Sequence, residues 1–167
     1  MSNITVIKRD QSKEDLDLEK MHKVVFYACE GIAGVSPSEV EIKSHISFYN
    51  GIETSDVQET LIKAAADLIT EETPNYQWVA GRLINYHLRK EVYGQFEPVS
   101  LSIVAKRNVE LGYYDKNFFA VYTSDEIAQL DSYIKHERDE NIAFAGMEQF
   151  RGKYLVQNRV THEIFET

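Results

Sequence analysis

The chain has 167 residues, of which 43% are hydrophobic, so it is long enough to bury a core as one ordinary domain or two small ones. Its formal net charge of −9 disfavours nucleic acid and anionic membrane surfaces as partners, and no secretory or membrane-spanning apolar run is visible. Cys29 is the only cysteine, which excludes an intrachain disulfide framework and a cysteine-based zinc site, and we expect a cytoplasmic globular protein.

The first predicted elements are a β-hairpin and a helix. Residues 4–8 are β-branched and alternate loosely, which predicts a short strand, and residues 13–16 predict a second one after a turn. Gln11 leaves the turn type open, because a tight type I′ turn requires positive φ angles that Gln tolerates poorly. Apolar residues then recur at helical spacing over residues 18–31, which predicts the first helix.

Three more helices are predicted before residue 94. A capping-box pattern over residues 36–39, with Pro37 at the first helical position, begins a helix that runs to about residue 49. A second capping-box pattern over residues 55–58 precedes the third helix. Pro74 opens a fourth helix that ends at Gly94.

A smaller helical unit is predicted after a joint that contains Pro98. One helix is expected over residues 101–111, and Thr123 with Glu126 forms a capping box for the next. A third run lies near residues 141–150, and the tail then changes to the alternation of two short strands. The predicted fold is therefore mainly α: residues 1–94 form a four-helix bundle capped by a small β-sheet, and residues 95–167 form a helical connector with a C-terminal β-hairpin.

Basic residues at two distant points of the sequence could form a phosphate site. Lys8 and Arg9 end the first strand close to a helix N-terminus, where backbone N–H groups and the helix dipole favour anions. Arg89 and Lys90 near the end of the fourth helix offer a second cationic pair, and Thr54 adds a hydroxyl at the start of the third helix. The alternative is that these side chains are simply solvated.

A second group of residues fits a nucleobase. Glu14 and Asp17 could accept hydrogen bonds from an exocyclic amine, and Leu16 and Met21 could sandwich an aromatic ring. The alternative is that acids in a first helical turn only serve the helix dipole.

Other chemistry is not indicated. Cys29 lies on an apolar helix face and is expected in the core. The charged run at residues 135–140 lacks the glycine and the alternating oxygen ligands of a hard-cation loop, so a solvated helix face is expected there. His87 lies on a mostly apolar helix face, which favours a packing role.

Several stretches resemble a known family. The segment "VIKRDQSKEDLDLEKMHKVV" resembles the opening motif of the ATP-cone domain. The later segments "SHISFYNGIETSDVQETLIKAAADLI", "PNYQWVAGRLINYHLRKEVYGQFEP" and "KYLVQNRVTHEIFE" are similar, in order, to the N-terminal part of the large subunit of class I ribonucleotide reductase. The resemblance implies a four-helix cone that binds ATP or dATP, with Mg²⁺ on the phosphates, and thereby sets overall activity.

The resemblance also implies roles for individual residues. Lys8, Arg9 and Lys90 would contact phosphates, Glu14 and Asp17 would face the adenine, and residues 14–20 would wrap the nucleoside. The full set of implied ATP or dATP contacts is Lys8, Arg9, Glu14, Asp15, Leu16, Asp17, Leu18, Glu19, Lys20, Met21, Thr54, Gln58, His87 and Lys90.

Two positions depart from the family pattern. Gln11 replaces a motif glycine, which puts the hairpin turn in doubt. Gln58 replaces a histidine of bacterial relatives, and a neutral amide cannot supply a protonated donor. The resemblance therefore implies retained nucleotide binding with weaker dATP inhibition.

The family's catalytic barrel and its redox cysteines have no counterpart in this sequence, so we expect this polypeptide alone not to reduce nucleotides. The implied partners are the remainder of the large subunit and the small radical-generating subunit, in an oligomer. A nucleotide-responsive repressor fragment is a second hypothesis, although one cysteine and a net charge of −9 provide neither a zinc ribbon nor a basic DNA reader. A helical interaction module with a degenerate nucleotide site is a third.

Overall fold

The computed structural model of the protein describes residues 4–8 and 10–167. Within these residues the fold is mainly helical with one small sheet, as predicted. The strands are β1 (Thr5–Ile7), β2 (Lys13–Asp15) and β3 (Ile52–Glu53). The α-helices are α1 (Leu18–Cys29), α2 (Pro37–His45), α3 (Thr54–Ala66), α4 (Tyr76–Tyr93), α5 (Leu101–Glu110), α6 (Phe118–Val121), α7 (Ser124–Tyr133) and α8 (Phe144–Gln149). A 3₁₀ helix over His136–Asn141 precedes α8, and a π-helical turn over Phe150–Tyr154 follows it.

The sheet has the strand order β2-β1-β3. The predicted antiparallel pairing of β1 with β2 is confirmed, with Val6 opposite Glu14. A third strand, β3, pairs with β1 in parallel and places Ile52 beside Val6. Sequence patterns did not predict β3, because two residues are too few to show a strand period. Since β3 leads directly into α3, the sheet holds the start of α3 next to the hairpin.

The hairpin turn accommodates Gln11 in the left-handed region, with φ of 66°. This conformation costs a non-glycine residue about 1–2 kcal/mol. The backbone N–H of Gln11 donates to the carbonyl of Lys8 at 2.9 Å. Asp10 accepts hydrogen bonds from the N–H of Ser12 at 2.9 Å and from its hydroxyl at 2.6 Å. The Asp10 side chain therefore helps to fix the turn in which Gln11 is strained.

Helices α1 to α4 share one hydrophobic cluster. Helix α4 contacts α1 and α3, and α2 also contacts α1 and α3. Val25 of α1, Leu61 of α3 and Val79 of α4 are among its fully buried members. Cys29 is buried in the same cluster, where burial raises the pKa of its thiol to about 11. The prediction that Cys29 is a core residue is confirmed.

Helix starts only partly follow the predicted capping boxes. Ser36 is the N-cap of α2, but its hydroxyl makes no capping hydrogen bond, and the Glu39 carboxylate instead accepts the hydroxyl of Tyr76. The predicted box over residues 55–58 is wrong, because α3 begins at Thr54 with Glu53 as its N-cap.

The predicted box of Thr123 with Glu126 is confirmed, with both of its hydrogen bonds present.

The C-terminal residues also pack on α4, and Met147 of α8 joins the main hydrophobic cluster. Helix α8 and the 3₁₀ helix both contact α4, and Arg107 of α5 donates to the carbonyls of Val92 and Phe165 at 2.5 Å each. In the tail, where two short strands are predicted, the structure has a single antiparallel bridge between Gln157 and Ile164. None of the helices in the described part of the chain has both the length and the apolar character needed to cross a membrane.

Candidate functional site

A cavity of about 520 Å³ opens between the hairpin, the first turn of α1, the start of α3 and the end of α4. This volume lies within the range of about 300–1,000 Å³ that is usual for small-molecule sites. Its lining residues are Lys8, Asp10, Glu14, Lys20, Thr54, Gln58, Tyr86, Lys90 and Gly94.

Six of the predicted site residues meet in this cavity: Lys8, Glu14, Lys20, Thr54, Gln58 and Lys90. These residues come from positions across the first ninety residues. The pairing of the strands and the packing of α3 on α4 bring them together. Arg9, which is also predicted to contact phosphates, lies outside the described residues. The lining contains the ammonium groups of three lysines and the carboxylates of two acids, so the cavity is locally cationic in a chain whose net charge is −9.

The hairpin contributes an ion pair at the cavity wall. The Nζ atom of Lys8 lies 2.6 Å from Oε2 of Glu14, and this hydrogen bond raises the pKa of the Lys8 ammonium above its usual value. Asp10 has a lowered pKa, chiefly because it accepts the hydroxyl of Ser12. Lys8 and Asp10 are therefore both charged at neutral pH.

Helix α3 presents its N-terminal end to the cavity. Thr54 is its first residue, and the side chain of the N-cap residue, Glu53, makes no capping hydrogen bond to the backbone of the first turn. Its carboxylate accepts the hydroxyl of Ser55 at 3.4 Å. The exposed N–H groups of such a turn and the helix dipole attract anions. One turn further along, Gln58 faces the cavity, and its buried Oε1 atom has no hydrogen-bond partner among the described residues.

The last turns of α4 form the opposite wall. Tyr86, Lys90 and Gly94 follow one another at intervals of four residues and therefore lie along one stripe of the helix. The Tyr86 ring stacks on Phe96 with centroids 5.2 Å apart, and Lys90 Nζ lies 5.9 Å from the Tyr86 ring centroid. The sequence analysis missed Tyr86, although its spacing from Lys90 was a usable signal.

Other predicted residues lie elsewhere. Leu16 packs against the small cluster of Val6, Ile52 and Val57. Met21 belongs to the main helical core, so the structure does not place Leu16 and Met21 on two sides of one pocket.

The first residues of α1 also serve local structure. Asp17 is the N-cap of α1 and accepts the N–H of Lys20 at 3.0 Å, which lowers the pKa of its carboxyl. Asp15 ends β2 and does not line the cavity.

A second cavity of about 580 Å³ lies between α1 and α2. Leu18, Glu19 and Met21, all predicted to touch the nucleotide, line this cavity and not the first one. Its polar wall includes His22, whose Nδ1 lies 2.7 Å from Oε1 of Glu41.

His87 is also outside the first cavity. Its side chain is 3% exposed, and its Nε2 lies 3.3 Å from Glu59 and 3.5 Å from Glu91. The prediction was that His87 is buried with its polar atoms hydrogen-bonded, and Nε2 agrees with it. Its Nδ1, in contrast, has no partner in the part of the chain that the structure describes.

Comparisons with known proteins identify the family of this chain. A family described as "ATP cone domain" matches residues 4–91. Over 165 residues, 99% of this chain, the sequence is 52% identical to ribonucleoside-diphosphate reductase 1 subunit alpha of Escherichia coli (strain K12) and covers 22% of that protein.

More distant alpha subunits match over the same extent. The identity is 48% to the ribonucleoside-diphosphate reductase subunit alpha of Haemophilus influenzae, with 99% of this chain and 22% of that protein covered. It is 41% to that of Enterobacteria phage T4, with 100% and 22% covered. The chain thus spans about a fifth of the length of the curated relatives it matches.

Proposed function

Because the chain belongs to the ATP-cone family, we propose that the cavity between the hairpin, α3 and α4 binds ATP or dATP as an allosteric effector. The observation that carries this proposal is the meeting of Lys8, Thr54 and Lys90 in one cavity. Basic groups from distant parts of the sequence and an uncapped helix start would together hold a triphosphate.

The phosphate end of the ligand would lie between Lys8, Lys90 and the first turn of α3. Charge-assisted hydrogen bonds to phosphate oxygens are stronger than neutral ones, and the helix N-terminus adds backbone donors. Lys20 in the first turn of α1 also lines the cavity, and its Nζ lies 3.4 Å from Oδ2 of Asp17. Its ammonium adds a third positive charge to the lining of the proposed phosphate site. Arg9 follows Lys8 directly and is assigned to the same phosphates.

The nucleoside end would lie against Tyr86 and Glu14. Phe96 supports one face of the Tyr86 ring, so the ring is held in place as a wall for an aromatic base. Lys8 pairs with Oε2 of Glu14. Among the residues that the structure describes, this pairing leaves Oε1 of Glu14 to accept an exocyclic amine. Asp17 and the β2–α1 connection would border the base.

In this proposal Mg²⁺ is bound to the phosphates of the nucleotide when the nucleotide binds to the protein. The described residues contain no group of three or more His, Cys, Asp and Glu side chains that could hold a metal ion on their own. The carboxylates of Asp10 and Glu14 line the cavity and have the oxygen donors that Mg²⁺ accepts.

The regulated activity would be that of a ribonucleoside-diphosphate reductase, since the alpha subunits of such enzymes are similar to this chain over nearly its whole length. ATP and dATP would favour different assemblies of the alpha chain with a small radical-generating subunit. Coupling of this kind requires the two nucleotides to bind two states with free energies that differ by about 1–3 kcal/mol.

We extend the proposal to the organisation of the chain. Residues 1–94 form the cone, with α1 to α4 as its four-helix bundle and the three-stranded sheet as its cap. Residues 95–167 form the connector, and the bridge of Gln157 with Ile164 marks its terminal hairpin.

Isothermal titration calorimetry tests the proposed function. The protein should bind ATP and dATP with Mg²⁺, each should displace the other, and CTP should bind much more weakly because it lacks the purine. The absence of any heat with ATP and dATP would overturn the proposal and favour a helical interaction module instead.

A further inference from the structure

A second cluster, of charged side chains and a histidine, lies next to the cavity. On both α3 and α4 its members are one residue further along the chain than residues that line the cavity. Glu59 follows Gln58 on α3, and His87 and Glu91 follow Tyr86 and Lys90 on α4. The lining residues face the cavity, and their successors face one another. The cluster is completed from the C-terminal segment by Glu148 and Arg151. We call these five residues, Glu59, His87, Glu91, Glu148 and Arg151, the Glu59 junction.

Glu59 is the centre of the junction. Its Oε1 lies 3.3 Å from Nε2 of His87 and 2.5 Å from Nη1 of Arg151. One carboxylate oxygen therefore joins α3 to α4 and to the C-terminal segment. The hydrogen bond from His87 and the nearby Arg151 lower the pKa of the Glu59 carboxyl, so Glu59 is ionised at neutral pH.

The groups around His87 fix its role. Its Nε2 lies between the carboxylates of Glu59 and Glu91, while the ring is nearly inaccessible to solvent. Two acceptors at one ring nitrogen favour a proton on Nε2. His87 thus holds α3 against α4 at the level of Gln58 and Lys90, without lining the cavity itself.

Arg151 brings in a segment far from the cavity. It lies in the π-helical turn Phe150–Tyr154, and its second guanidinium nitrogen pairs with Glu148 at 2.8 Å. The carbonyl of Arg151 accepts the side-chain amide of Gln157 at 3.1 Å. Single π-helical turns occur frequently at functional sites. The turn is therefore tied both to the cavity wall and to the bridged tail.

Resting on the proposed function, we propose that Glu59, His87 and Arg151 are positioning residues for the effector cavity. They set the spacing between the α3 wall, with Thr54 and Gln58, and the α4 wall, with Tyr86 and Lys90. Through Arg151 they couple occupation of the cavity to the attachment of the π-helical turn. Because coupling is reciprocal, a nucleotide that binds more tightly when the π-helical turn is attached to Glu59 also stabilises that attachment.

The test measures the ATP dissociation constant of Arg151→Gln, Glu59→Gln, the double variant and Arg151→Lys by calorimetry. Arg151→Gln should weaken ATP binding by roughly 2- to 30-fold, the range of coupling effects for residues that touch no ligand. The double variant should be no weaker than Glu59→Gln alone, because both changes break one interaction. Arg151→Lys should recover most of the affinity, since it keeps a cation beside Glu59.

The matched control is Arg159→Gln, which also removes an arginine charge from the C-terminal segment. Arg159 is exposed, does not line the cavity and donates to the carbonyl of Lys153 at 3.4 Å, so ATP affinity should not change. Hydrogen exchange of the backbone over residues 150–154 gives a second readout. Adding ATP should slow it in the wild type and not in Arg151→Gln.

The outcomes separate the two proposals. If the wild type binds ATP and the Glu59 and Arg151 variants bind it equally well, the positioning role is overturned while the proposed function stands. A merely structural role would lower the melting temperature of the variants and leave the dissociation constant of the folded protein unchanged, which also overturns it. If the wild type binds no ATP, the proposed function fails first.

Discussion

Lys8, directly after β1, and Lys90, in the last turns of α4, line the same cavity although they stand at opposite ends of the family-matched region. The parallel pairing of β1 with β3 brings the hairpin to the start of α3, and α3 packs on α4. Two lysines that are far apart in the sequence therefore line one cavity.

Neutralising either lysine should weaken ATP binding. A hydrogen bond to a charged group contributes about 1.5–3 kcal/mol, so Lys8→Gln and Lys90→Gln should each raise the ATP dissociation constant by about 10- to 100-fold. Calorimetry at moderate ionic strength measures this. Lys116→Gln, an exposed lysine outside the cavity, is the matched control. Unchanged affinity in both cavity variants would reject the phosphate assignment.

Replacing the Tyr86 ring should weaken ATP more than inorganic triphosphate. Stacking of a base on an aromatic side chain contributes about 1–3 kcal/mol, so Tyr86→Leu should cost roughly 5- to 100-fold in ATP affinity. Tyr86→Phe keeps the ring and should bind ATP almost as the wild type does. Competition binding with triphosphate alone should show no change in either variant. An equal loss for both ligands would mean that Tyr86 acts on the phosphates.

Gln58→His should introduce a pH-dependent affinity. The Oε1 atom of Gln58 is buried at the cavity without a partner, and a neutral amide cannot become cationic. An unperturbed imidazole titrates near pH 6.5, so the variant should bind ATP and dATP more tightly at pH 6 than at pH 8. The wild type should show a smaller change over this interval. Parallel pH profiles for the two proteins would refute the expectation.

Gly81 should not tolerate a side chain. A Cβ atom at this position would lie 2.1 Å from the carbonyl oxygen of Ile142, between α4 and the segment that precedes α8. Gly81→Ala should destabilise the protein by about 1–3 kcal/mol in urea denaturation, as overpacking does. At Gly152 a Cβ would meet no atom within 4 Å, so Gly152→Ala is the control and should be near neutral.

Alkaline pH should unfold the protein partly through Tyr76. Burial, and next its hydrogen bond to Glu39, raise the pKa of Tyr76 from 10.0 to about 12. The folded state therefore holds this proton more tightly than the unfolded chain does. The resulting stabilisation is fully present below pH 10 and is lost as the pH rises from about 10 to about 12.

Urea denaturation at pH 8, 10 and 11 measures this effect. Tyr76→Phe is less stable at pH 8, because it lacks the hydrogen bond to Glu39. It should nevertheless lose less stability than the wild type between pH 10 and pH 11. Tyr27 and Tyr114, whose pKa values are also raised to about 12, leave a residual loss in both proteins.

Local patterns predicted most of the elements correctly. The β1–β2 hairpin, the helical start at Pro37 and the capping box at Thr123 are all encoded within a few residues of sequence. The end of α4 at Gly94, where φ is 71°, is equally local, because only glycine adopts that conformation without cost. Motif resemblance then identified six of the nine residues now found at the cavity, including Thr54 and Gln58.

Longer-range relationships depended on the tertiary structure. Strand β3 exists because β1 lies beside it, and the separation of Leu16 from Met21 follows from two different hydrophobic clusters. The Glu59 junction was not visible either, since Arg151 meets Glu59 only after α8 packs on α4.

The charge balance, the helical periods, the capping box at Thr123 and the family motif could be read from the sequence alone, because each depends on composition or on neighbours within one or two turns of chain. The side of α3 and of α4 that faces the cavity, and the side one residue away that faces the Glu59 junction, became known from the packing of the whole fold. This difference arises because hydrophobic burial is non-directional. The apolar pattern of a helix predicts which of its faces is buried, but the packing of the other elements determines which element covers that face.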